Sequence, residues 1–69
     1  MKQFHICWTF RSPVDNGLEQ VDEYGFKRYM QKRYNFLLAD PHVLTCKITT
    51  TYGHFLDCLY RATVSTVLE

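Results

Sequence analysis

The sequence predicts a small α+β protein in which one helix packs on one face of a three-stranded, mostly antiparallel sheet, in the order β-α-β-β. Three observations predict this fold: period-two alternation near the N-terminus, helical periodicity over residues 22–39, and β-branched runs after residue 41. The 69 residues are expected to form a single domain over 1–69. A chain of this length buries only about 60% of its unfolded surface, so its core is small.

The first strand is predicted over residues 3–11, where apolar and polar side chains alternate. One face carries Phe4, Ile6, Trp8 and Phe10. The other face carries Gln3, His5, Cys7, Thr9 and Arg11. Ser12-Pro13 ends the strand, because proline has no N–H to donate to a β-ladder.

Residues 16–21 allow two interpretations. Asn16 with Glu19 resembles a capping box, and the acidic run that follows suits a helix N-terminus, so a helix is favoured. Alternatively, Asn16-Gly17 forms a turn that folds Leu18–Val21 back as a short second strand.

A helix is predicted from Asp22 to Ala39, because its apolar side chains cluster at helical spacing. These are Phe26, Met30 and Leu37, flanked by Tyr29 and Tyr34. Asp40-Pro41 ends the helix. Arg33 projects into the apolar arc, so it is expected to extend its head to water or to pair with Asp22 or Asp57.

After Pro41, residues 43–51 are rich in β-branched side chains and are predicted to form a strand. A turn at Gly53-His54 then leads into a returning strand over residues 56–68. A helix over residues 55–67 is the alternative, since several apolar residues there also fall at helical spacing. The returning strand can lie centrally in the sheet, paired with both others.

Candidate binding residues fall into two groups. The predicted helix exposes a basic stripe with polar and aromatic neighbours: Tyr24, Lys27, Arg28, Gln31, Lys32 and Asn35. The outer face of the first strand adds His5, Thr9 and Arg11. The basic stripe is suited to an acidic protein surface or to phosphates, or it is an ordinary solvated helix face.

The composition favours a protein partner over nucleic acid. The net charge is +1 and the isoelectric point is about 7.7, whereas nucleic-acid-binding domains usually exceed about 9. Two of the three His-Cys pairs, His42–Cys46 and His54–Cys58, are four residues apart, about 13 Å along a strand, and no Cys-x-x-Cys pair occurs, so no metal or other cofactor is expected. No nucleophile and base form a recognisable catalytic pair, and an enzyme is not expected.

The sequence therefore predicts a small binding protein that regulates or inhibits a partner by protein–protein contact, of the kind that compact phage genomes often carry. A nucleic-acid-binding regulator that uses residues 24–36 is the alternative. Self-association, for example as a homodimer, is plausible, because open edges leave so small a sheet prone to pairing. Apolar runs are too short for a membrane span, and three scattered cysteines favour a reduced, cytoplasmic setting.

Overall fold

The structure, a computed structural model, describes residues 2–52 and 60–68 and contains a four-stranded sheet and one helix in that part of the chain. The elements are β1 (Lys2–Arg11), β2 (Leu18–Gly25), α1 (Lys27–Ala39), β3 (Val43–Tyr52) and β4 (Tyr60–Thr66). The predicted α+β class is confirmed. The predicted β-α-β-β order with three strands is wrong, because an additional strand precedes the helix.

The sheet has the order β3-β1-β2-β4, and every neighbouring pair is antiparallel. Strands β1 and β2 form a hairpin at its centre, and α1 carries the chain across the sheet to β3 at one edge. Strand β4 lies at the opposite edge beside β2, so the expectation that the last strand is central is wrong. The helix alternative is also wrong for residues 60–66, while the predicted turn at Gly53-His54 lies outside the described residues.

Residues 18–25 form a strand, so the favoured helix start near Asn16 is wrong and the helix begins at Lys27. The turn is closed by hydrogen bonds from Ser12 N to the Gly17 carbonyl and from Asn16 N to the Ser12 carbonyl, both 2.9 Å. Asn16 has φ 59°, a left-handed conformation that asparagine tolerates better than most residues. This turn lets β2 pair with β1 from Leu18 to Gly25, and that ladder outweighs the local preference for a helix cap.

The core lies between α1 and the β1–β3 side of the sheet. Its fully buried members are Ile6, Met30 and Leu37, and the partly buried side chains around them are Phe4, Trp8, Tyr34, Val43, Cys46 and Ile48. This packing confirms the predicted apolar side of β1 and the burial of Met30 and Leu37, whereas Phe26 precedes the helix and Tyr29 is exposed. We call the covered side of the sheet the helix face and the other side the open face.

Candidate binding surfaces

Helix α1 covers only one half of the helix face. It packs mainly on β3 and β1, and it approaches β2 less closely. Val21 of β2 and Val64 of β4 are direct cross-strand partners and therefore point to the same face. Val21 is 5% exposed, whereas Val64 is 63% exposed. The described residues thus leave the β4 side of the helix face uncovered.

Four apolar side chains of α1 and β4 are exposed, and we call this set the α1–β4 patch: Tyr29, Phe36, Tyr60 and Val64. All of them are large apolar side chains with 40–65% exposure. Tyr29 and Phe36 are seven residues apart and therefore lie on one side of the helix. The Tyr29 ring meets the Tyr60 ring edge-on, with centroids 5.1 Å apart. Exposed apolar clusters of this kind often mark interaction sites.

A fully buried carboxylate, Glu23, lies behind this patch. Its Oε2 accepts a hydrogen bond from the Trp8 indole N–H at 2.5 Å. Its Oε1 accepts one from the Tyr60 hydroxyl at 2.6 Å. The Arg33 guanidinium donates to both oxygens, from Nε at 2.9 Å and from Nη2 at 3.2 Å. Glu23, which lies on β2, therefore connects this strand to β1, α1 and β4.

These contacts keep Glu23 ionised. Burial acts to raise the pKa of its carboxyl, but hydrogen bonds from Arg33, Tyr60 and Trp8 outweigh burial, so the pKa is lower than usual. The same arrangement disfavours ionisation of the tyrosine. Burial, followed by its hydrogen bond to the Glu23 carboxylate, raises the pKa of Tyr60 to about 12.

Arg33 pairs with Glu23 and not with Asp22, and its side chain is still partly exposed; the other expected partner, Asp57, lies outside the described residues. The guanidinium carbon is 6.0 Å from the Trp8 ring centroid and 5.7 Å from that of Phe36. Both distances fall within the range of cation–π attraction. Arg33 therefore joins the buried carboxylate to the exposed ring of Phe36.

The predicted basic stripe is exposed on the outer side of α1, where it comprises Lys27, Arg28 and Lys32. Gln31 and Asn35, the polar members of that group, turn toward β3 instead. They line a groove of about 330 Å³ together with Phe4, Tyr34 and Ile48. Arg28 and Lys32, four residues apart, therefore lie on the helix surface between this groove and the α1–β4 patch, whereas Lys27 lies on the same side as Gln31.

Tyr24 does not belong to the helix group, because it lies on β2 and points to the open face. Its ring stacks on the His5 ring, with centroids 4.5 Å apart and planes 9° apart. His5 Nε2 is in turn 2.7 Å from Asp22 Oδ1. Thr9 and Thr45 exchange a hydroxyl hydrogen bond of 2.6 Å across β1 and β3. Tyr24 therefore contacts His5, and both lie with Thr9 on the side of the sheet remote from the helix.

Two further residues of β1 lie on the open face. Arg11 lies at the end of β1 and donates from Nη1 to the Asn16 carbonyl at 3.3 Å. Cys7 lies beside Asp22, and burial together with this carboxylate raises the pKa of its thiol. Burial is also the main cause that raises the pKa of Cys46 on the helix face. Both thiols are therefore protonated at neutral pH and are weak nucleophiles.

No cluster of three or more histidine, cysteine, aspartate or glutamate residues that could hold a metal ion occurs within residues 2–52 and 60–68. The helix in this part of the chain has 13 residues, and it is neither long nor apolar enough to cross a membrane. Comparison with protein-family models, curated proteins and solved structures found no match to this chain.

Sequence reasoning missed the α1–β4 patch and the carboxylate behind it. Tyr29 was assigned to the core flank, and Glu23 was placed on a helix, where it has no reason to meet Tyr60. The useful signal was the alternative Asn16-Gly17 turn. With β2 as a strand, Glu19, Val21 and Glu23 share one face, and the only apolar member of that set indicates which face is buried.

Proposed function

We propose that this protein is a non-enzymatic binding protein that regulates or inhibits a partner protein by direct contact through the α1–β4 patch. The observation that carries the proposal is the exposed ring contact between Tyr29 and Tyr60, with Phe36 and Val64 also exposed on the same two elements. Aromatic side chains are enriched at the centres of protein interfaces, where they bury much area at low entropic cost. The Glu23 network supports the proposal because it holds Tyr60 in place before a partner arrives.

The charges beside the patch indicate the chemistry of the partner. Arg28 and Lys32 are exposed on the side of α1 that adjoins the patch, Lys27 is exposed near the start of the helix, and Glu23 is neutralised by Arg33. The complementary surface is therefore apolar at its centre and acidic on one side. Electrostatic attraction at such a rim raises the rate of encounter more than it raises affinity. The three scattered cysteines favour a reduced, cytoplasmic setting, which we include in the proposal.

The proposal is tested by capture of the partner from a nuclease-treated lysate of the cells in which the protein occurs. The test variant carries F36S and V64S, which remove apolar area from the patch. The matched control carries L38S and L44S, which change equally exposed apolar residues outside the patch. We expect the test variant to lose at least about tenfold in capture, as for residues near the centre of an interface, and the control to retain it.

Equal capture by the two variants would show that the patch is not the contact surface. Absence of any stoichiometric protein would overturn the proposed function itself. Circular dichroism and thermal unfolding of both variants verify that the fold persists. Charge reversal at Lys27, Arg28 and Lys32 then measures the contribution of the basic side, and we expect a smaller loss that diminishes at high salt.

Nucleic-acid binding by α1 is the second proposal, and it is supported by the exposure of Lys27, Arg28 and Lys32 on the helix. A measurable signature distinguishes it from protein contact. For binding to phosphates, the logarithm of the affinity falls linearly with the logarithm of the salt concentration. On duplex DNA each phosphate contact adds about 0.9 to the magnitude of this slope. Recovery of a partner only from untreated lysate, with this slope, would favour nucleic acid.

A further inference from the structure

The outer edge of β4 is unusually open for pairing. All seven residues of the strand are exposed, and no described residue pairs with its outer edge. An unpaired edge presents a row of backbone donors and acceptors to any strand that can approach. Proteins usually protect such edges with charged side chains, proline or bulges; β4 has one charged residue, Arg61, no proline, and no register shift against β2.

The opposite edge of the sheet is better protected. Strand β3 carries Lys47, and its pairing with β1 is shifted between Thr9 and Phe10. Helix α1 also packs over β3. Two edges of one sheet therefore differ in their capacity to recruit another strand, and β4 is the one suited to it.

We propose that a second copy of this chain pairs with β4, antiparallel and across a two-fold axis at Thr63, to form a continuous eight-stranded sheet. Antiparallel partners point to the same face, so both helices lie on one side of the joined sheet. Placing the axis at Thr63 pairs all seven residues of β4, because Thr63 is the centre of Tyr60–Thr66. A shift of the axis to either side leaves end residues unpaired.

The side chains of β4 complement themselves in this register. On the helix face, Ala62 meets Val64 of the partner and Tyr60 meets its Thr66, which covers part of the exposed Val64. On the open face, Arg61 meets a partner serine, Ser65, so the only charged residue of the strand does not face its own copy. Like charges directly opposite each other would destabilise the pair.

The pairing also brings the two α1–β4 patches together on one face, with the two helices at its sides. The proposed dimer does not rest on the proposed function, because it is inferred from the β4 edge and its pairing register and not from any other partner. An interface of two seven-residue strands is near the small end of stable interfaces, below about 1,200 Å², so we expect dissociation in the micromolar range.

Cysteine cross-linking tests the register. The experiment uses the full chain with Cys7, Cys46 and Cys58 replaced by serine, and oxidised glutathione as the oxidant. T63C places two thiols directly opposite each other and is expected to give a disulfide-linked dimer. S65C is the matched control on the same face of the same strand. Its two thiols are about 13 Å apart in this register and are expected to remain unlinked.

Sedimentation velocity over a dilution series, with the native chain, tests the association itself. We expect a monomer–dimer equilibrium that T63K weakens at least tenfold, because it places two ammonium groups at the two-fold axis. T49K, an exposed threonine on the same face of β3, is the control and leaves the equilibrium unchanged.

A concentration-independent monomer would overturn the inference, as would cross-linking of S65C in preference to T63C. Failure of partner capture with an intact dimer would instead reject only the proposed function. The two proposals are therefore separable.

Discussion

The two halves of the helix face have similar strands but opposite environments. The half over β1 and β3 is covered by α1 and holds the buried residues Ile6, Met30 and Leu37. The half over β4 carries apolar side chains that stay exposed, among them Tyr60 and Val64. A single helix is too narrow to cover four strands side by side. The comparison indicates that one half supplies most of the stability and leaves the other available for contact.

The halves are joined by Glu23 and Arg33. Arg33 lies between Trp8, which packs against the core, and Phe36, which belongs to the patch. The exposed half is therefore held by polar contacts where the covered half is held by apolar packing. If this distinction is correct, mutations in the two halves should affect stability and binding in different proportions.

The largest expected difference is between two adjacent helix residues. L37A removes a side chain that is 2% exposed and should lower the free energy of unfolding by about 3 kcal/mol, because it leaves a cavity in the core. F36A removes a ring that is 65% exposed and should change stability by no more than about 0.5 kcal/mol. Urea unfolding measures both. Similar losses would show that the exposed half contributes to the core.

The link between the halves is tested next by R33M, which removes the guanidinium and retains most of the apolar stem. We expect a loss of about 2 kcal/mol in urea unfolding, because Glu23 is left buried without its cation. The loss is smaller than the 3–5 kcal/mol of a fully buried pair, since the Arg33 side chain is 28% exposed. K32M, on the exposed neighbour, should leave stability unchanged. A neutral R33M would mean that the patch is positioned without this pair.

Low pH should weaken the stabilising contacts of Glu23 with Arg33. The pKa of Glu23 is lower in the folded state, so its stabilising effect is present above the unfolded pKa of about 4.3 and is lost as the pH falls through the folded value. Unfolding free energy measured from pH 6 downward should therefore decline less steeply in E23Q than in the native chain. E19Q, on the same face of β2, is the control. Identical slopes in E23Q and the native chain would refute the prediction.

The smallest effect on stability is expected at Tyr60, which belongs to the α1–β4 patch. The pKa of Tyr60 is about 12 in the folded state and about 10 unfolded, so its stabilisation is present below pH 10 and is lost as the pH rises toward 12. Ultraviolet titration should show the highest tyrosinate step near pH 12, and Y60F should abolish it. Y24F is the control and should retain this step. Ionisation of Tyr60 near pH 10 would show that its hydroxyl does not donate to Glu23.

Local patterns were sufficient for the parts of the fold that bury apolar side chains. The alternation of Phe4, Ile6 and Trp8 and the spacing of Met30 and Leu37 depend only on nearby residues, and both were predicted correctly. Strand β2 was not the favoured prediction, because its acidic composition resembles a helix start. Its stability comes from pairing with β1. Such pairing is not visible within a short window of sequence.

The candidate site depends still more on distant residues. Tyr60 and Glu23 are 37 positions apart, and they meet only because β4 pairs with β2. The predicted surface residues Lys27, Arg28 and Lys32 are exposed, but Tyr24 was placed on the wrong element. Exposed polar positions on a helix follow from periodicity alone, whereas the open half of the sheet follows from how far α1 extends across it.

Trp8 gives this molecule an intrinsic optical probe. It is the only tryptophan in the chain, and its indole N–H donates to the carboxylate on which Arg33 and Tyr60 also converge. Its emission wavelength should respond to any change in the charge or spacing of those groups. Fluorescence from the unlabelled protein therefore offers a real-time test of whether the proposed partner binds at the neighbouring aromatic rings.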